Sequence, residues 1–339
     1  MISQLKFYVG VCCLMMTLTE YVSAQENFFQ NKKINLIVGY SPGGSNDLYA
    51  RLLARFLPRH LAGNPTVIVT NMPGAGSIRA ADYIYGIAPK DGTVIGTVSR
   101  GIAFDPLFGL PSGKFEATKF SWIGSANEEV SVCVSWETSQ IKVFDDLLKS
   151  ELVVGSLGGG SDSDLFPKVM NAVLGTKFKV VPGYPGGNEL NLAIERHELE
   201  GRCGWSWAAL KSTHRPWLEA KKVHVLIQLA LNKHSDLPSV PSVMDYAKSD
   251  EDRQVLKLIF ARQVIGRPFL APPGMPQARL QELRVAFWQT LNDQNFLQEA
   301  ERQELEITPV KGEDVENLIK ETYKMSSDVI SKAAAVLKK

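Results

Sequence analysis

The sequence lacks an excess of either charge, is poor in histidine and cysteine, and past its first two dozen residues has no long apolar run. Lysine and arginine number 37 against 36 aspartate and glutamate, for a pI near 7.6. No basic face therefore marks the chain as a binder of nucleic acid or anionic membrane, and a small-molecule partner fits better. The five histidines, His60, His197, His214, His224 and His234, form no HExxH pair or other metal-ligand spacing, so neither a metal nor a cofactor is expected. Of the four cysteines, Cys12 and Cys13 sit in the amino-terminal apolar run, and Cys133 and Cys203 lie far downstream. The latter two either pair or stay buried as free thiols, because bridging requires Cα atoms within about 7 Å and sequence does not supply that distance.

Signatures of catalysis are also missing. Gly155 to Ser161 has neither the Lys-Ser/Thr of a phosphate loop nor the Gly-x-Gly-x-x-Gly of a dinucleotide turn. Gly204-Trp205-Ser206-Trp207-Ala208 is similar to a nucleophile elbow, but alanine replaces the last glycine and spacing assigns no histidine partner. No catalytic residue is nominated. An exported α/β hydrolytic enzyme remains the alternative from another class, since fold alone does not decide activity.

The amino terminus reads as a signal peptide: Lys6 supplies a positive start, Phe7 to Leu18 is uncharged and apolar, and Val22-Ser23-Ala24 offers small residues for cleavage after Ala24. The apolar run falls short of the ~20 residues of a membrane span, and Glu20 follows closely. A lipid-modified cysteine belongs at the end of such a run, whereas Cys12 and Cys13 lie inside it. The mature chain is expected to be a soluble, exported, periplasmic monomer of two domains, given a domain prior of roughly 100 to 200 residues.

Strands and helices alternate along the mature chain, the pattern of a mostly parallel sheet covered by helices. Ile34 to Val38 reads as a strand, Gly39 to Asn46 as a Gly/Ser/Pro loop, and Asp47 to Leu61 as a helix with Leu48, Leu52, Leu53, Phe56 and Leu57 on its apolar stripe. Thr66 to Thr70 is a second strand, Ser77 a cap for a helix through Ile84, and Thr93 to Val98 a third strand. The plan then recurs: strand Leu152 to Val154, glycine-rich loop Gly155 to Ser161, helix Ser163 to Leu174, strand Lys179 to Val181, a loop through Gly187, helix Asn188 to Arg196 and strand Gly201 to Trp205. Beyond it come strand Val223 to Ala230, a largely helical stretch from Val243 to Phe260, an extended return from Gly266 to Ala271, and amphipathic helices over Pro276 to Asp293 and Gly312 to Leu337.

Two matched glycine-rich loops carry a chemical consequence. Each leads from a strand into a helix whose first N–H groups lack intrahelical partners, and the aligned peptide dipoles favour an anion there. Glycines at Gly43-Gly44 and Gly158-Gly159-Gly160 leave the backbone accessible to a ligand. One such loop alone is more often an ordinary turn; two, one per lobe, make a jaw. Ser45, Asn46, Ser161 and Ser163 either donate to a ligand oxygen or cap their helices. Asp47 and Asp162 suit caps, dipole partners or receivers of an ammonium group. Arg100, after the third strand, and Arg202 are positioned to grip a carboxylate with two hydrogen bonds, or else lie on solvated surface. Tyr184, Trp205 and Trp207 either floor a pocket or fill the core. Flanking residues Tyr40, Pro42, Ser99, Pro185 and Gly186 complete the candidate ligand-binding set.

Tyr40-Ser41-Pro42-Gly43-Gly44 with Asp47 and Ala50-Arg51, then Pro73-Gly74-Ala75-Gly76, then Ala88-Pro89-Lys90-Asp91-Gly92, resemble in order and spacing the tripartite tricarboxylate transporter receptors, also called Bug proteins. The resemblance continues through Gly158 to Ser161, Tyr184-Pro185-Gly186-Gly187 and Leu270-Ala271-Pro272-Pro273-Gly274, nearly the whole mature chain. It implies a type II periplasmic-binding-protein fold: two α/β lobes, a ligand cleft and a two-strand hinge near Val130 to Trp136 and Ala261 to Phe269. Lobe I would comprise 25–132 plus 264–339 and lobe II 133–263, after removal of 1–24. It further implies capture of a small carboxylate, through loop amides and waters, for the permease subunits of a tripartite transporter. A metabolite-sensing receptor for a signalling kinase would use the same binding physics. Gly201-Arg202-Cys203-Gly204-Trp205-Ser206-Trp207 departs from the glycine and acidic residue that many relatives carry there, which bears on ligand identity.

Overall fold

The computed structural model describes residues 28–110, 112–157, 161–184 and 186–338. The expected leader 1–24 with Cys12 and Cys13, and the loop residues Gly158, Gly159, Gly160 and Pro185, lie outside the described residues.

Strand β1 (Lys33–Val38) is buried from Leu36 onward, as a strand covered on both faces must be. It leads into helix α1 (Ser45–Phe56), whose core face is Tyr49, Leu52, Leu53 and Phe56. Leu48, expected on that face, is 37% exposed, because one residue of helical pitch turns it about 100° away from Tyr49. At Pro58, which lacks an N–H, α1 tightens into the 3-10 turn Leu57–His60. Edge strand β2 (Thr66–Asn71) follows, then α2 (Ile78–Gly86) and β3 (Val94–Thr97). Ser77 stands at the N-cap of α2 but does not cap it: its backbone is left-handed, and its hydroxyl donates to the Gly39 carbonyl at 3.0 Å. The end of β1 packs so closely on Ser77 that the side chain is drawn there instead.

Short 3-10 turns lead to β4 (Ser121–Ser125), and the chain then crosses into a second sheet at β5 (Ser131–Trp136). The recurrence expected from sequence is present: β6 (Leu152–Ser156), α3 (Asp162–Leu174), β7 (Phe178–Pro182), α4 (Gly187–Glu195), β8 (Gly201–Ser206), α5 (Trp207–Glu219) and β9 (Val223–Leu229). Helix α6 (Asp250–Phe260) starts afresh because Ser249 caps it, its hydroxyl accepting from the Asp252 N–H, so the stretch from Val243 is not continuous helix. The return strand β10 (Pro268–Ala271) precedes α7 (Gln277–Leu291), α8 (Gln294–Arg302), β11 (Val310–Lys311), α9 (Gly312–Tyr323) and α10 (Ser327–Lys338). The last helix packs on α3 and α6.

The first sheet has strand order β11-β4-β10-β3-β1-β2 and the second β7-β6-β8-β5-β9. β1, β2 and β3 are parallel, as are β6, β7 and β8, whereas β10 runs against β3 and β4, and β5 against β8 and β9. β5 and β10 are each the first strand after a crossing, so each leaves the junction that its neighbours approach, and β11 also runs against β4. The crossing segments run side by side: Ala126 N–H donates to Arg267 O (2.9 Å), Gly266 N–H to Asn127 O (3.0 Å) and Glu129 N–H to Gln263 O (2.7 Å). This double strap, 126–130 beside 261–267, is the two-strand hinge of a two-lobe binding-protein fold; its first strand lies ahead of the expected Val130 to Trp136, because Ser131–Trp136 is already β5 of the second sheet.

A bulge in the second sheet sets the direction of several side chains. Val132 pairs with Trp205 and Val134 with Arg202, so Cys133 faces two residues, Cys203 and Gly204, and Gly204 takes φ 69°. Such a bulge shifts the strand's alternation by one, placing Arg202 and Trp205 on the same face although they are three apart. Cys203 points to the other face with Cys133, and the two form a disulfide. A Cβ on Gly204 would lie 2.5 Å from the Asp162 carbonyl oxygen, so only glycine lets the start of α3 rest against β8.

Candidate functional site

A cavity of about 310 Å³ lies between the two sheets. One wall is Tyr40, Asn46 in the first turn of α1, and Ser99 and Arg100 after β3. The opposite wall is Leu157, Ser161 and Asp162 at the start of α3, with Arg202, Gly204, Trp205, Ser206 and Ala209 from β8 and the first turn of α5. The hinge straps close the back with Glu129, Arg262, Gly266 and Arg267. Three helices, α1, α3 and α5, thus begin at one cavity, and their starts superpose positive potential on it.

The back wall is a charged network. Arg267 donates to Glu129 at 3.0 Å and to the Ser45 hydroxyl at 3.3 Å, tying the strap to α1. Ser206 donates to the second Glu129 oxygen at 2.9 Å and accepts the Ala209 N–H, so the serine of the elbow-like sequence is a helix cap. Arg100 reaches across the cavity to donate to Asp162, and its other terminal nitrogen lies 3.5 Å from Glu129. Burial opposes the Arg100 charge, but the Asp162 and Glu129 carboxylates outweigh it and raise its pKa. Arg262, only 1% exposed, donates to Asp105 at 2.7 Å and stands 3.8 Å from Asp162. Burial pushes the Asp105 carboxyl up even with Arg262 beside it.

Of the residues nominated from sequence, Tyr40, Asn46, Ser99, Arg100, Ser161, Asp162, Arg202 and Trp205 line this cavity. Arg100, expected to meet a ligand carboxylate, is engaged by Asp162 here. Pro42, Gly43 and Gly44 sit on the exposed tip of the first loop, outside the lining. The Gly43 N–H donates to Asp47 at 2.8 Å rather than outward. Asp47 is buried away from the cavity, accepting also from Arg51 and Asn71 at 2.8 Å each. Burial disfavours its charge, but these bonds prevail and hold its carboxyl below the usual range. It is the brace of the loop. Ser45 does not cap α1; Gly44 holds the N-cap position and Ser45 accepts from Arg267. Ser161 holds the N-cap position of α3 with its hydroxyl 3.0 Å from that of Ser163, which accepts the Leu157 N–H. Tyr184 packs on the core beside Gly155, Gly186 precedes α4, and Trp207 donates to Asp236, so none of the three lines the cavity.

Glu129, Arg262, Arg267 and Ser206 went unnominated. The signal for the arginines was present: two guanidiniums inside the apolar stretch Ile259 to Ala271 require buried counter-charges. Among the described residues no cluster of His, Cys, Asp and Glu could hold a metal ion.

Residues 49–335 match the profile of the tripartite tricarboxylate transporter family receptor. The chain belongs to this family. The receptor is 26% identical to the UPF0065 protein in the gbd 5'region of Cupriavidus necator, over 91% of this chain and 90% of that one. Its fold is similar to that of a TctC solute binding protein from Polaromonas (21% identity, TM-score 0.66, 89% of this chain and 98% of that one). It is also similar in fold to an R. palustris protein solved with adipate (17% identity, TM-score 0.67, 90% and 97% coverage). A third likeness is MatC from Rhodopseudomonas palustris with bound malate (18% identity, TM-score 0.65, 90% and 99% coverage). Family membership gives the receptor a role in solute transport.

Proposed function

We propose that the protein captures a small carboxylate in the cavity between its sheets and presents it, chemically unaltered, to permease subunits in the membrane. The observation that carries this reading is the convergence of the α1, α3 and α5 starts on one cavity with an arginine-rich back wall. Such a site stabilises an anion by fixed dipoles and by charge-assisted bonds. The lobes are 25–132 with 264–339 and 133–263, and binding closes them about the straps at 126–130 and 261–267. Lobe I contributes Tyr40, Asn46, Ser99 and Arg100 to the ligand; lobe II contributes Ser161, Arg202 and Trp205. Export to the periplasm, with removal of 1–24, brings the receptor to its permease. The malate- and adipate-bound relatives support a carboxylate as cargo.

A thermal-shift screen of organic acids tests the proposal. A true ligand at 100 times its dissociation constant adds about 2.7 kcal/mol of stability by mass action. A shift with at least one carboxylate and none with neutral sugars is expected. Stabilisation by neutral sugars alone would contradict it.

A further inference from the structure

Resting on that reading of the cleft, we infer that Arg202 is the residue by which this receptor selects ligands bearing a second acidic group, and that its guanidinium binds that group. Four arginines line the cavity, and three of them have carboxylate partners. Glu129 serves Arg100 and Arg267, Asp162 serves Arg100 and Arg262, and Asp105 serves Arg262. Among the described residues, no carboxylate pairs with Arg202. Its Nη1 donates to Gly187 O (3.3 Å) and to Asn191 Oδ1 (2.9 Å), both uncharged. Among the described residues its buried Nε has no hydrogen-bond partner, and its bonds to Gly187 and Asn191 both leave from Nη1 rather than Nη2. Burial pushes its pKa down to about 10, still charged at neutral pH.

The surroundings call for an anion rather than a neutral group. The guanidinium lies 4.4 Å over the Trp205 ring and against the first residue of α4, where a Cβ on Gly187 would stand 3.0 Å from Nη2. A cation at a helix start is electrostatically opposed by the dipole, so the protein holds two positive features together without a counter-charge. Glu189, in the first turn of α4, folds back beside Gly186 and does not pair with Arg202. A buried, unpaired charge is costly, and a ligand carboxylate supplies what is missing.

Arg202 is also held ready. Asn191 turns its oxygen to Arg202 and donates from Nδ2 to His214 Nε2 at 2.9 Å, so Nε2 must accept. The His214 proton therefore sits on Nδ1 and is given to Thr213 Oγ1 at 2.7 Å, whose own proton goes to the Ala209 carbonyl. Burial first, and Arg202 second, keep His214 neutral, consistent with this chain of donors. Asn191 and His214 are positioning residues.

The test is calorimetric titration of the purified protein with straight-chain diacids of four to eight carbons and the monoacids of equal length, for wild type, Arg202→Gln and Arg202→Lys. Wild type is expected to bind its best diacid about ten- to a hundred-fold tighter than the matching monoacid, the range of a charge-assisted bond. Arg202→Gln should erase that preference, weakening diacid binding about ten- to a hundred-fold more than monoacid binding, and Arg202→Lys should restore part of it. Persistence of the preference in Arg202→Gln, or equal loss of both ligand types with a lowered melting temperature, would overturn the inference and leave the carboxylate reading standing. Failure of wild type to bind either series would overturn that reading and the inference with it.

Discussion

Arg100 and Asp162 are hydrogen-bonded across the cleft, a guanidinium after β3 meeting a carboxylate at the start of α3. The contact joins the lobes and occupies a donor that an anionic ligand needs. Asp162→Asn should therefore lower the stability of the unliganded protein by about 1.5 to 3 kcal/mol in urea unfolding. It should also tighten binding of an organic acid by about tenfold, or about 1.4 kcal/mol, since a like charge leaves the site. Weaker binding by the variant would mean that Asp162 contacts the ligand, as it would with an ammonium group.

His214 confers a pH dependence with a definite sign. Its folded pKa is depressed by burial and by Arg202, so the unfolded chain binds the extra proton first. The associated stability is complete above the ordinary histidine value of about 6.5 and declines as pH falls below it. His214→Gln retains an acceptor for Asn191 and removes the titration. Urea unfolding between neutral pH and about pH 5 should show a smaller acid-side loss in the variant; His224, likewise depressed, titrates in both proteins and cancels. Identical pH profiles would exclude His214 from the effect.

Sequence made the repeated strand, loop and helix plan legible because glycine-rich loops punctuate it at Gly43-Gly44 and ahead of Asp162. The antiparallel strands β5 and β10 were harder to orient. Strand direction follows from where the hinge straps cross, a property of tertiary path rather than of local pattern. Helix α5 was hidden by Pro216 and by non-helical backbone at His214. Within the site, Arg100 and Arg202 were readable as cleft residues from their place near strand ends. Their opposite roles were not, since pairing depends on Asp162 and Glu129, which meet Arg100 only in three dimensions. The bulge at Gly204 that turns Arg202 and Trp205 to one face has no signature beyond the glycine itself.

The Cys133–Cys203 disulfide closes a loop of sequence separation 70, and both residues are fully buried. Replacing both by alanine should cost about 2 to 5 kcal/mol in urea unfolding under oxidising conditions. An unchanged midpoint would show that the link does not restrict the unfolded chain.

Gly43 adopts φ 82°, and a Cβ there meets nothing within 4 Å. Gly43→Ala therefore carries backbone strain without steric clash, and should lower stability by about 1 to 2 kcal/mol. A larger loss by thermal unfolding would reveal a clash that the loop geometry does not contain.

The central claim is that the ligand lies in the cavity between the sheets. Asn46 faces that cavity from the first turn of α1. Calorimetric titration of wild type and Asn46→Trp with the acid giving the largest thermal shift tests the claim most directly. One-to-one binding by wild type, abolished in the variant at an unchanged melting temperature, is the expected result. Equal affinity in the two proteins would contradict the account.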